Sequence, residues 1–98
     1  MTASGEPEAA GRLQRALEAF QKAKAQLFTA HRNLKGLPPE EVNRFWLAAG
    51  GRLEAHMNSA AAEVLAAFRL FSAAGLVANA HDRRLVNEAE RHLAEGGR

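Results

Sequence analysis

The chain has no cysteine and no tyrosine, three prolines and one tryptophan in 98 residues, and isoleucine is also missing. Without cysteine there is no disulfide, no thiolate metal ligand and no cysteine nucleophile. Apart from five Phe and the one Trp, residues that favour strands are scarce. Neither sign of charge dominates: 13 Lys+Arg against 11 Asp+Glu leave a net charge of +2, a weak overall field. Long apolar runs are lacking as well. The least charged stretch, 57–80, is interrupted by Glu63 and Arg69 and is too polar to span a bilayer. The opening residues Met1-Thr2-Ala3-Ser4-Gly5-Glu6-Pro7 hold no basic or apolar segment, so no secretory signal and no membrane span are expected, and the default location is cytoplasmic.

What the chain has instead is alanine and leucine, both strong helix formers. Leu13, Phe20, Leu27 and Leu34 recur every seven residues, and Ala16, Ala23 and Ala30 follow the first three. The same large-then-alanine rhythm returns as Met57/Ala60, Val64/Ala67 and Phe71/Ala74. Seven-residue spacing holds side chains on one stripe of a helix. An alanine in each repeat lets a neighbouring helix come close, because the separation depends on side-chain size at the contact. A GC-rich genome would raise the alanine content, but codon bias does not place alanines at every seventh position.

One all-helical domain over 1–98 is expected, with helices near 7–35, 39–74 and 80–95 and flexible ends at 1–6 and 96–98. Pro7 suits a first helical turn, Gly36 a helix end, and Leu37-Pro38-Pro39 a sharp reversal that makes the first two helices antiparallel neighbours. Gly50-Gly51 is the weak point of the second helix, costing about 1–2 kcal/mol relative to alanines. Either a kink or a close backbone approach is expected there. Gly75 marks a better break, because Phe71 and Leu76 then fall at the positions whose contact accompanies a Schellman motif. Asn79 and Asp82 resemble a capping box with Asp in place of Glu. Against the break, Ala78 and Leu85 continue the spacing of Phe71.

The polar residues point to no catalytic centre. Asp82 is the single Asp, and Ser4, Ser59 and Ser72 have no neighbouring base. Compact helical ribonucleases carry an Arg and a His with four to six residues between them, whereas Arg52 and His56 are one residue too close. His31, His56, His81 and His92 lack the i, i+4 pairing of zinc helices, and no Glu-x-x-His pair occurs. No cofactor or metal site is expected, with a small metal- or ligand-binding bundle kept as a second alternative. Lys24 and His31 share a stripe with Leu17 beside the apolar seam; burial of the Lys stem competes there with a role in register or pH response. Lys22, Lys24, Arg32 and Lys35, with Arg44 across the turn, form a basic end that could meet phosphates. Cations near a helix C-terminus also simply offset its dipole.

The expected fold is therefore all-α: an antiparallel helical hairpin plus a shorter third helix. It is either a three-helix bundle or a hairpin completed as a four-helix bundle by a second copy. Leu13, Ala16, Leu17, Phe20, Ala23, Leu27, Ala30 and Leu34 form the seam within the chain. Ala60, Val64, Leu65, Ala67, Phe68, Phe71 and Leu76 spread over several faces of the second helix, and a helix apolar on several sides must be covered on several sides. Those residues are the expected protein interface. The expected function is a non-catalytic packing or assembly module that forms a homo-oligomer, with a dimer favoured, or docks to another helical protein. Association with nucleic acid is the alternative. The layout resembles the small Trp-x-Gly substrates of type VII secretion, which pair as four-helix bundles and also carry a Trp just after the turn. Here Trp46 is followed by Leu47 and Ala48, and no Tyr supplies that family's C-terminal signal. The likeness implies shared architecture and no site residues.

Overall fold

The computed structural model describes residues 5–96; of the expected flexible ends at 1–6 and 96–98, residues 1–4 and 97–98 lie outside them. Helix α1 spans Gly5–Leu34 and so takes in residues 5 and 6. Pro7 still falls in the first turn, where its missing N–H has no intrahelical partner to lose, and Glu6 and Glu8 sit at the positive end of the helix dipole. The chain reverses at Gly36, whose φ of +87° is open to glycine at little cost. Pro38 is extended (φ −58°, ψ 148°) and its carbonyl receives the N–H groups of Glu41 and Val42, starting α2 (Pro39–Phe45).

The second long helix changes winding partway along. After α2, Trp46–Gly50 form a π-helical turn, and α3 continues over Gly51–Ala73. Backbone angles at Phe45, Gly50 and Gly51 all remain right-handed helical, so the helix runs through without a break. The glycine pair therefore marks an inserted residue. The neighbour at Gly50 is an indole rather than another backbone: a Cβ there would lie 2.7 Å from Trp46 Cε3.

The break at Gly75 is present. Gly75 has φ +83°, Leu76 N–H donates to Phe71 O at 3.2 Å, and Gly75 N–H donates to Ser72 O at 3.0 Å. These are the two hydrogen bonds of a Schellman motif. Asn79 then caps α4 (Ala80–Gly96), its Oδ1 accepting from Asp82 N–H at 2.8 Å. Asp82 does not return the bond as a capping box requires; its carboxylate accepts from Gln14 Nε2 at 3.0 Å and ties α4 to α1.

The fold is a helical hairpin with a third, shorter helix laid along it, 59 × 23 × 19 Å overall. The core joins Leu13, Ala16, Leu17, Phe20 and Ala23 of α1, Met57, Ala60, Ala61, Val64, Ala67 and Phe71 of α3, and Leu85, Val86 and Ala89 of α4. Burial of a side chain such as Leu13, Phe20 or Val64 contributes about 1.5–3 kcal/mol. Alanines at 16, 23, 60, 61, 67 and 89 are among the buried residues, which is what close helix approach needs. Arg12 clamps Glu63 through two hydrogen bonds, Nε to Oε2 at 2.7 Å and Nη2 to Oε1 at 3.0 Å. The Arg12 hydrogen bonds hold the Glu63 carboxyl below the usual carboxylate range, and Glu63 raises Arg12 further above its already high value. Lys24 is paired with Glu88 across α1 and α4.

Candidate functional site

The core stops partway along the hairpin. Helix α1 has 30 residues and α4 has 17, or about 45 Å against about 25 Å at 1.5 Å per residue. Beyond the end of α4 the hairpin is two helices wide, and no residue from 24 to 56 is buried. The stripe of α1 continues there as Leu27, Ala30 and Leu34, but all three are only half-buried. Large apolar groups remain open on this tip: Phe28 is 68% and Leu47 89% exposed. A two-helix layer buries one face of each helix and leaves the rest for another layer to cover.

A cleft of about 630 Å³ continues the track of α4 along the tip. Its floor is made by Leu27, Trp46, Gly50 and Met57, with Glu54 of α3 and Glu95 of α4 among the residues that line it. The Trp46 indole is its organising group. His31 packs on it with ring centroids 4.9 Å apart, and Phe45 meets it edge-on at 5.1 Å. The absence of a side chain at Gly50 leaves room for the indole. The chain thus places a helix-weakening glycine pair and a π turn where nothing is buried, so core packing does not offset their cost. π turns inside α-helices are frequent at functional sites. At the inner end of the cleft, His92 Nε2 donates to Asn58 Oδ1 at 2.7 Å.

A second cleft of about 600 Å³ lies on the other side of the hairpin, lined by Thr29, Ala30, Phe45, Ala49, Arg52, Leu53 and His56. No residue of α4 borders it. Its only ionisable groups are Arg52 and His56, so it offers no carboxylate to work with them.

The residues expected at a protein interface fall elsewhere. Ala60, Val64, Ala67 and Phe71 are buried in the chain's own core, and Leu65, Phe68 and Leu76 pack against it, partly buried. Much of that surface is filled from within by α1 and α4, while Leu70 and Val77 of the same stretch stay exposed. The seam of α1 divides in the same way: Leu13, Ala16, Leu17, Phe20 and Ala23 are buried, while Leu27, Ala30 and Leu34 border the open tip. Of the expected phosphate contacts, Lys24 is committed to Glu88, and its Nζ lies 5.9 Å from the Phe20 ring centroid. Lys22 is about 200° round the helix from Lys24, and Arg32, Lys35 and Arg44 are exposed near the tip. The five do not form one stripe.

Among the described residues no group of three or more His, Asp or Glu could hold a metal ion, and no helix is long and apolar enough to cross a membrane. Glu63 and Glu88, within helical reach of His56 and His92 in the sequence, bind Arg12 and Lys24 on α1 instead. The residues to which sequence reasoning gave no role are Leu47, Glu54 and Glu95. A signal was available in Trp46 and Gly50, four apart and therefore stacked on one helix face. Comparison with protein families, curated proteins and solved structures finds no match to this chain.

Proposed function

We propose that the chain is a non-catalytic helical assembly module whose hairpin tip packs against a second copy of itself. The observation that carries this reading is that no residue from 24 to 56 is buried, and that past the end of α4 the hairpin continues as a two-helix tip with Leu47 exposed. Two such tips laid side by side make four helices, an arrangement in which each hairpin covers the other's open face. The pairing surface is the tip from 24 to 56. The π turn and its glycines support the reading, because they give Trp46 a fixed seat on that surface.

The test is the mass in solution by size exclusion with light scattering, over a range of concentrations, on protein taken through a high-salt wash to remove bound polyanions. A discrete dimer, or a dimer in exchange with monomer, is the expected result. A monomer up to near-millimolar concentration would overturn the reading and would turn attention to a dissimilar helical partner.

A further inference from the structure

The Trp46 cleft joins an aromatic wall to carboxylates that have no ion-pair partner. Trp46, Gly50, Glu54 and Asn58 follow one another at four-residue spacing and all line it, as one row along a helix does. The indole lies over Gly50, because a Cβ there would stand 2.7 Å from its Cε3. Glu54 follows one turn later, and the general lean of helix side chains toward the preceding turn carries its carboxylate toward the indole. From α4, Glu95 borders the same cleft. Its turn is the last of that helix and holds no basic residue, so the negative end of the helix dipole adds to the carboxylates. The ion pairs among the described residues, Arg12–Glu63 and Lys24–Glu88, use neither Glu54 nor Glu95. No Lys or Arg lines the cleft. Its other ionisable groups are His31, packed on the indole at 4.9 Å, and His92, bonded to Asn58.

From this arrangement we infer that the cleft binds an organic ammonium ion, a cation carried on an alkyl or aromatic body. The ammonium group sits between Glu54 and Glu95, and the body lies along Leu27 and the indole. A cation near an indole face is attracted by the ring quadrupole, and the two carboxylates act on it in the same direction. A bare metal ion finds too few ligands, since among the described residues no group of three His, Asp or Glu could hold one. An anion would face both carboxylates; the cleft that suits an anion is the one bordered by Arg52 and His56. The volume of about 630 Å³ lies in the range of small-molecule sites. The site belongs to the single chain and does not rest on the self-association proposed above. The Arg52 cleft on the other side of the hairpin leaves a separate face for a mate.

The experiment titrates the full chain at about pH 8, where imidazole is ordinarily neutral, with 4-phenylbutylammonium. Calorimetry gives the affinity, and emission of Trp46, the single tryptophan, reports on the cleft itself. 4-Phenylbutanol and 4-phenylbutyrate share the same body and differ in charge. The ammonium ion is expected to bind about tenfold more tightly than the alcohol, with the carboxylate weakest, and high salt should narrow the gap. Glu54 and Glu95 are exposed, so Glu54→Gln and Glu95→Gln keep the fold, which circular dichroism checks. Each is expected to weaken the ammonium ion by about twofold to fivefold and to leave the alcohol unchanged. Arg52→Gln, in the other cleft, should not weaken it. Equal affinity for the three compounds, an ammonium affinity indifferent to both Glu variants, or unchanged Trp46 emission would each overturn the inference. None of those results bears on the mass in solution, which tests self-association separately.

Discussion

Two adjacent glycines should respond in opposite ways to the same substitution. Gly51 is exposed, has helical backbone angles, and a Cβ added to it would meet nothing within 4 Å. Alanine is favoured over glycine inside a helix by about 1 kcal/mol. For a domain of this size that raises the melting temperature by about 4–8 °C, so Gly51→Ala should be stabilising. At Gly50 the same gain meets a contact of 2.7 Å to Trp46 Cε3, well inside the ~3.5–4.0 Å at which carbon atoms attract. Overpacking of this kind costs about 1–3 kcal/mol. The net effect of Gly50→Ala therefore runs from about zero to a loss of ~2 kcal/mol. The indole can relieve the clash by swinging outward, and would then leave His31 and Phe45, aromatic contacts worth about 0.5–1.5 kcal/mol each. Thermal melts by circular dichroism with Trp46 emission distinguish the two variants. Gly51→Ala should melt higher with unchanged emission, and Gly50→Ala no higher than wild type with emission shifted to the red. Equal stabilisation by both, with identical emission, would refute the claim that Gly50 exists to seat Trp46.

Other consequences follow from the caps and ion pairs. Asn79→Ala removes the Oδ1 that accepts Asp82 N–H, and should lower stability by about 0.5–2 kcal/mol in denaturant melts; no change would mean that the cap contributes nothing. The Glu63 carboxyl is held below its ordinary value by Arg12. Its contribution is present above the unfolded carboxylate value and is lost as pH falls through the lower folded value. Arg12→Gln should therefore melt below wild type near neutral pH, with the gap closing below about pH 4; a gap independent of pH would count against the ion pair.

Much of the architecture was legible because local chemistry decides it. Gly75, with Phe71 four residues before it and Leu76 after it, specifies a Schellman end by spacing alone, and the hydrogen bonds to Phe71 and Ser72 follow. The prolines at 38 and 39 likewise dictate a reversal. The interface was less legible, because coverage depends on how near a helix can come. Leu85, Val86, Ala89 and Leu93 are the few apolar residues that α4 offers to α3. With Ala60, Ala61 and Ala67 in the core they lie close enough that a short row suffices. The openness of the tip was not legible: Leu27, Ala30 and Leu34 keep the apolar spacing, and only the length of α4 shows why they are half-buried where Leu13 and Phe20 are buried. The π turn has no compositional mark of its own. Partners such as Arg12–Glu63 and Lys24–Glu88 depend on the lateral register of two helices, which periodicity does not fix.

The central claim is that the tip is structurally incomplete in a lone molecule and is completed by another copy. Hydrogen exchange by mass spectrometry, compared at micromolar and near-millimolar protein, tests it most directly. Amides from 27 to 56 are expected to exchange faster than those of the Leu13–Val64–Ala89 core in dilute protein. They should become protected as the concentration rises, with the core unchanged. Tip amides as protected as the core in dilute protein, and indifferent to concentration, would show that the hairpin needs no partner.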